Sequence, residues 1–184
     1  MSERDEAAGQ VGLIQSFVNT LDFRPHAEEL KDANTLKDWL IAKGLIQAQD
    51  PVSETDYRHA IALREAMRGV IGANNGARIY PVDLATLNEA AAASRLRMRF
   101  GPDGTPRLEP EAPGTVGAMG KLVAALYSAM QEEDWARLKL CHASDCRWAF
   151  YDRSKNHSSR WCDMGSCGNR EKARRFREQH RHLA

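Results

Sequence analysis

The residues best suited to chemistry in this chain are its cysteines, and all four fall between positions 141 and 167 of 184. Four residues separate Cys141 from Cys146, four separate Cys162 from Cys167, and fifteen lie between the two pairs. Soft donors in two short-spaced pairs suit a tetrahedral zinc ion, because each pair wraps one edge of the tetrahedron while the intervening segment brings the chain back. Four thiolates leave no coordination position open for substrate. The expected metal is therefore one structural zinc per chain, held by Cys141, Cys146, Cys162 and Cys167, contributing on the order of 10 kcal/mol to folding. Spacing alone leaves an iron–sulfur cluster or disulfides as the alternatives, with His142 and His157 as conceivable substitute ligands.

Positive charge gathers in the same region. Residues 1–140 carry 16 Lys+Arg against 20 Asp+Glu, a balance of −4, whereas residues 141–184 carry 10 against 5, or +5, together with four of the six histidines. Such asymmetry reads as a basic binding module on a near-neutral body. After Cys167, Gly168 frees the backbone and Asn169 serves as an N-cap for a helix running to Arg181. On it Arg170, Arg174, Arg177 and Arg181 recur at i, i+4, i+7 and i+11, in one narrow stripe that Lys172 and Arg175 widen and Glu171 and Glu178 dilute. Ala173, Phe176 and His180 fall to one side, where they are expected to pack on the finger. A single-signed arginine stripe suits phosphate and base-edge recognition, so the expected partner is nucleic acid, with duplex DNA ahead of RNA. An RNA-binding or ribosome-associated zinc module and a protein-interaction adaptor are the other two readings.

These residues need elements to hold them. Trp148 to Tyr151 and Arg160-Trp161 are strand-like stretches around a polar turn, so a hairpin between them would unite the cysteine pairs. The tail then reads as knuckle, hairpin, knuckle, helix, a treble-clef-like finger over residues 136–184. Upstream, residues 1–135 read as a mainly helical domain, and the whole chain as α+β. One helix carries Leu36, Trp39 and Leu40 and stops at Gly44. A longer one starts from Ser53 or Thr55, buries Ile61, Leu63, Met67, Val70 and Ile71, and ends at Asn74-Asn75-Gly76. A third opens at Pro81 with Leu84, Leu87 and Ala91 on one face. RLRMRF-GPDG-TPRLEP alternates around a turn as a two-stranded hairpin does. The last helix of the body presents Leu122, Val123, Leu126, Tyr127 and Met130.

With 42% hydrophobic and 28% charged residues, the composition is that of a soluble globular protein, and no apolar run approaches a membrane span. The opening MSERDEAAGQ lacks the basic and apolar regions of a secretory signal, so a cytoplasmic location with reduced thiols is expected, which favours metal over disulfides. Nothing in the chain forms a nucleophile triad, a phosphate-binding glycine loop or a paired-carboxylate motif, so an enzyme is not expected.

Cys167-Gly168-Asn169-Arg170, with Arg160-Trp161-Cys162-Asp163-Met164 and Phe150-Tyr151-Asp152-Arg153-Ser154 before it, resembles the CGNR zinc finger. Phe17-Val18-Asn19-Thr20-Leu21-Asp22 resembles the opening of the ABATE domain that precedes that finger in stress-induced transcription regulators. The resemblance implies a zinc-holding DNA-binding module joined to a body that senses a ligand or stress signal. If the body has an anion or small-molecule pocket, Asn19, Thr20, Arg24 and Arg64 are its candidate contacts. One finger offers limited site specificity, so a DNA-binding form is expected to dimerise.

Overall fold

The computed structural model describes residues 7–180. It is an α+β structure, a mainly helical body with small antiparallel ribbons followed by a cysteine-bearing finger. The helices are α1 (Gly9–Val18), α2 (Ala33–Ala42), α3 (Glu54–Ala73), α4 (Pro81–Ala93), α5 (Gly114–Gln131) and α6 (Asn169–His180). The ribbons pair β1 (Leu21–Asp22) with β2 (Ala27–Glu28), β3 (Leu96–Phe100) with β4 (Pro106–Pro110), and β5 (Leu138–Leu140) with β6 (Ala149–Tyr151).

Local chemistry accounts for the helix starts. Asp32 and Ser53 each accept the backbone N–H three residues on, while Thr35 and Asp56 return a bond to the cap residue, so both helices open with a reciprocal capping box. Pro81 occupies the first turn of α4, where its missing N–H costs nothing.

The core is built by α1, α2, α3 and α5. Ile14, Phe17, Leu36, Leu40, Met67, Ile71 and Leu122 are fully enclosed. Helix α5 approaches the end of α4 so closely that a Cβ on Gly120 would stand 2.4 Å from the Ser94 Cβ. Helix α1 has no counterpart among the sequence-derived elements, although Val11, Ile14, Phe17 and Val18 follow a helical period. Helix α4 departs from expectation in the other direction: it buries no residue, and Leu84 is 48% exposed. Tyr127 and Met130 on α5 likewise face outward, so the apolar stripe there is narrower than its sequence suggests.

The finger is not a separate bead. Leu138, Leu140 and Ala149 belong to the same buried cluster as α1, α3 and α5, whereas Cys141, Ala143, Cys146 and Cys167 form a second, small cluster with Trp148, Trp161 and Cys162. In the β5–β6 register, Leu138 faces Tyr151 and Leu140 faces Ala149, so alternation turns these four toward the body. The partner of β6 is therefore β5, and not the Arg160-Trp161 stretch that sequence had paired with it. The reason is apolar content: Leu138 and Leu140 have a core to enter, and Arg160-Trp161 does not. Instead the Arg160 carbonyl accepts a single bond from the His142 N–H at 2.9 Å.

Candidate metal centre and its seam with the body

The β5–β6 hairpin presents the first cysteine pair at its tip. Cys141 N–H donates to the Trp148 carbonyl at 2.9 Å, extending the ladder one step beyond the strands. The turn closes through Cys146 N–H to the Ala143 carbonyl at 2.9 Å, with Arg147 in the left-handed region at φ 50°. The second pair is set by a π-helical turn, Met164–Gly168. Asp163 organises it: its carboxylate accepts the Ser166 N–H at 2.6 Å, and its carbonyl accepts the N–H groups of Cys167 and Gly168. The exposed Met164 side chain lies over Gly168, its sulfur 2.4 Å from where a Cβ would stand. Asn169 does not act as an N-cap. It is already helical, and its side-chain amide donates to the Gly165 carbonyl at 3.0 Å, so the π turn runs straight into α6.

These two turns bring the sulfurs together. The four Sγ atoms all lie within 4.8 Å of one another, and Cys146–Cys162 and Cys162–Cys167 are each separated by 3.7 Å. The edge of a tetrahedron with metal–sulfur bonds of about 2.3 Å is about 3.8 Å, so the donor set has the size zinc demands. Cys141, Cys146 and Cys167 are buried and Cys162 is half-buried, and none is in a disulfide. Hydrogen bonds from Cys146 and Cys162 pull the Cys141 thiol down, while those same contacts, with burial, push Cys146 up to about 12 and Cys162 higher still. Four thiolates so close need a cation to compensate them. The chemistry and spacing fit one structural zinc ion, whose binding releases the remaining protons and so weakens as pH falls. Arg170 Nη2 lies 3.5 Å from the Cys167 sulfur and the Ser166 hydroxyl 3.9 Å from it, placing donors around the thiolate cluster.

Below the tip, the long loop after β6 is tied by a buried ion pair. Lys139 Nζ meets Asp152 Oδ2 at 2.8 Å, and the same carboxylate accepts the N–H groups of Ser154 and Ser159. Burial alone would raise the Asp152 carboxyl, but bonds from Lys139, Ser154 and Ser159 hold it well below the usual carboxylate range.

The expected nucleic-acid contacts sit on and around α6. This helix has no buried residue, and Lys172, Arg174, Arg175 and Arg177 are exposed along it. Arg181 lies outside the described residues. Arg170 does not open the outward stripe: it turns back, bonding Asp145 at 3.2 Å as well as Cys167. Arg174 bonds Glu171 at 2.8 Å and the Ser144 hydroxyl at 3.3 Å, and Arg175 reaches Glu171 at 3.4 Å. Phe176 does not pack on the finger. It is 61% exposed and stacks on His180, with centroids 4.0 Å apart, on a helix that buries none of its residues against the other described residues. Trp148 and Trp161 pack on the cysteine cluster.

The candidate ligand contacts of the body serve a different geometry. Asn19 Nδ2 donates to the Ala149 carbonyl at 2.8 Å and its Oδ1 accepts the Ala149 N–H at 2.9 Å, joining α1 to β6. Thr20 bonds the Phe17 carbonyl and receives Arg64 Nη1 at 3.1 Å. Arg64, with its side chain 2% exposed, grips Glu28 through both carboxylate oxygens at 2.7 and 2.8 Å and reaches Glu65 at 2.9 Å. Asn19 lines a 230 Å³ pocket at the seam, shared with Trp39, Lys43 and Trp148. A more apolar cavity of 210 Å³ between α3, α4 and α5, floored by Leu63 and Met119 and edged by Asp56, His59 and Glu89, contains none of them. Arg24 is exposed on the β1–β2 loop, 4.0 Å from Asp145 of the finger.

Sequence reasoning did not single out the rest of the seam. Gln15 donates to the Ala149 carbonyl at 3.3 Å. Arg68, fully buried, donates to the carbonyls of Val18 and Arg147 at 2.6 and 3.3 Å and stacks over Phe23, whose ring also carries the Arg147 guanidinium. Asn74 and Asn75, which sequence placed only as a helix end, send their amides to the carbonyls of Trp135, Leu138 and Leu140. Two consecutive amides at a helix end were the one visible signal, since a plain stop needs only the glycine that follows.

Comparison with known families matches two models to the chain. One, the CGNR zinc finger, covers residues 137–180. The other, ABATE, described as "Putative stress-induced transcription regulator", covers residues 12–133. No curated protein matches.

Proposed function

Because the chain belongs to the ABATE family, with a CGNR zinc finger following the family domain, we propose that it is a zinc-dependent regulator that binds duplex DNA through α6. The division of labour runs between a body, residues 1–135, and a finger, residues 136–184. Zinc fixes the finger; Lys172, Arg174, Arg175 and Arg177, with Arg181 beyond the described residues, meet the phosphates and groove edges, and Arg170 joins them by leaving Asp145.

The observation that carries this reading is the exposure of α6. A twelve-residue helix that buries nothing contributes little to folding, yet it is launched from a four-thiol site that fixes its direction. Rigid presentation of arginines on an otherwise unused helix is what groove recognition requires. Trp148 and Trp161 are half-buried against the thiols, which leaves the arginines of α6 as the reading surface, and a helix enters the wide major groove of duplex DNA where it cannot enter the narrow one of A-form RNA. In the body, the seam pocket beside Asn19 is where a small effector would act on the finger, because Asn19 holds β6. Two copies on a two-fold site would supply the specificity that one helix lacks.

Competition of a structured RNA against a duplex DNA for the zinc-loaded full chain tests this directly. Preference for the duplex supports the reading. A preference for RNA by more than about tenfold displaces it, and absence of binding to either leaves the finger as a protein-interaction module.

A further inference from the structure

The contacts around Asp145 join three cations from two parts of the chain. Asp145 stands in the turn between Cys141 and Cys146, with its side chain 54% exposed. Its Oδ1 meets Arg170 Nη2 at 3.2 Å, and its Oδ2 lies 4.0 Å from Arg24 Nε of the β1–β2 loop. One residue earlier, the Ser144 hydroxyl receives Arg174 Nη1 at 3.3 Å. Arg147, two residues later, is exposed and lies over the Phe23 ring, 5.1 Å from its centroid, so the loop that carries Arg24 is braced against the finger.

A lone carboxylate drawing one arginine from a body loop and one from the first turn of α6, with Arg174 of the second turn on the neighbouring Ser144 hydroxyl, has the character of an internal anion in an anion site. A backbone phosphate is larger, offers more acceptor oxygens and matches guanidinium forks better than a single carboxylate partly in water. The inference rests on the duplex-binding reading above. We propose that Arg24 of the body joins Arg170 and Arg174 in one phosphate-binding surface of the duplex interface, with the phosphate taking the place that the Asp145 carboxylate now occupies. The body then contributes directly to DNA binding, and the seam is part of the interface.

The experiment is equilibrium binding of a fluorescent non-specific duplex by the zinc-loaded full chain, between 50 and 200 mM salt, for wild type, Arg24→Gln, Asp145→Asn and the double variant Arg174→Glu/Arg177→Glu. Arg24→Gln is expected to weaken binding roughly three- to tenfold and to reduce the slope of log K against log salt by about 0.9, the loss of one phosphate contact. Asp145→Asn, which removes the competing charge while keeping the side chain's shape, is expected to tighten binding by about the same factor. If the double variant loses binding while Arg24→Gln retains the wild-type affinity and slope, α6 acts alone and the inference fails although the duplex-binding reading stands. If the double variant binds like wild type, that reading fails and takes the inference with it. Unchanged binding by Asp145→Asn, with Arg24→Gln weakened, overturns the placement of the phosphate. Zinc content and thermal midpoint are measured on each variant. Asp145→Ser replaces Asp145→Asn if the latter loses metal.

Discussion

The side-chain amide of Asn19 satisfies both backbone groups of Ala149, accepting its N–H at 2.9 Å and donating to its carbonyl at 2.8 Å. A residue at the end of α1 thus acts as one more rung beside β6, 130 positions away in sequence. The free edge of the finger's hairpin is closed by a side chain of the body, which joins the two parts by hydrogen bonds as well as by the apolar contacts of Leu138 and Leu140.

Asn19→Ala leaves the Ala149 N–H buried without that acceptor, while the carbonyl keeps Gln15. The expected loss is about 1–3 kcal/mol of unfolding free energy, read by urea denaturation of the zinc-loaded protein. A change within error would mean that the amide contributes nothing net.

Arg64 is buried and held by Glu28, whose side chain is 29% exposed. Glu28→Gln removes the bidentate partner and leaves the guanidinium with Glu65. The expected cost is about 2–3 kcal/mol, below that of breaking a fully buried pair because water reaches Glu28. Chemical denaturation checks it, and zinc content should stay the same.

The Asp152 carboxyl has a folded-state pKa below its unfolded value, so it stabilises the fold above about pH 4 and that contribution is lost as pH falls through the folded value. Asp152→Asn removes this dependence. The difference in stability between wild type and Asp152→Asn is expected to be full near neutrality and to shrink at acid pH. Loss of metal is common to both proteins and cancels. A difference that grows on acidification would reverse the assignment.

Chelation of zinc, or Cys162→Ala, should separate the two ends of the finger. The small cluster of Cys141, Ala143, Cys146 and Cys167 has little apolar packing beyond the half-buried Trp148 and Trp161, whereas Leu138, Leu140 and Ala149 stay in the core of the body. Amide exchange is therefore expected to accelerate in residues 141–148 and 160–180 and to remain slow in α3 and β5. Equal loss of protection in α3 would show that the body also depends on the metal.

The parts of this structure legible in the sequence are those written in local chemistry. Cysteine spacing marked the metal centre, capping residues and glycines marked α2 and α3, and the Gly-Pro-Asp-Gly turn marked the β3–β4 ribbon. What escaped is encoded over long distances. The pairing of β6 with β5 depends on a core that Leu138 and Leu140 enter, and the roles of Asn19, Arg68, Asn74 and Asn75 depend on carbonyls brought near by folding. Arg170 has the helical period of a stripe, yet Asp145 lies close enough to turn it inward. A helix face can be counted along the chain, whereas a partner supplied by another segment cannot.

The most direct test of the central claim, that a zinc-fixed α6 binds duplex DNA, is a binding isotherm of Arg174→Glu/Arg177→Glu against wild type at one zinc per chain. Duplex binding by the wild type is expected to weaken steeply with salt, and to be lost in the variant with metal retained. Equal affinity of the two zinc-loaded proteins for the duplex would contradict it.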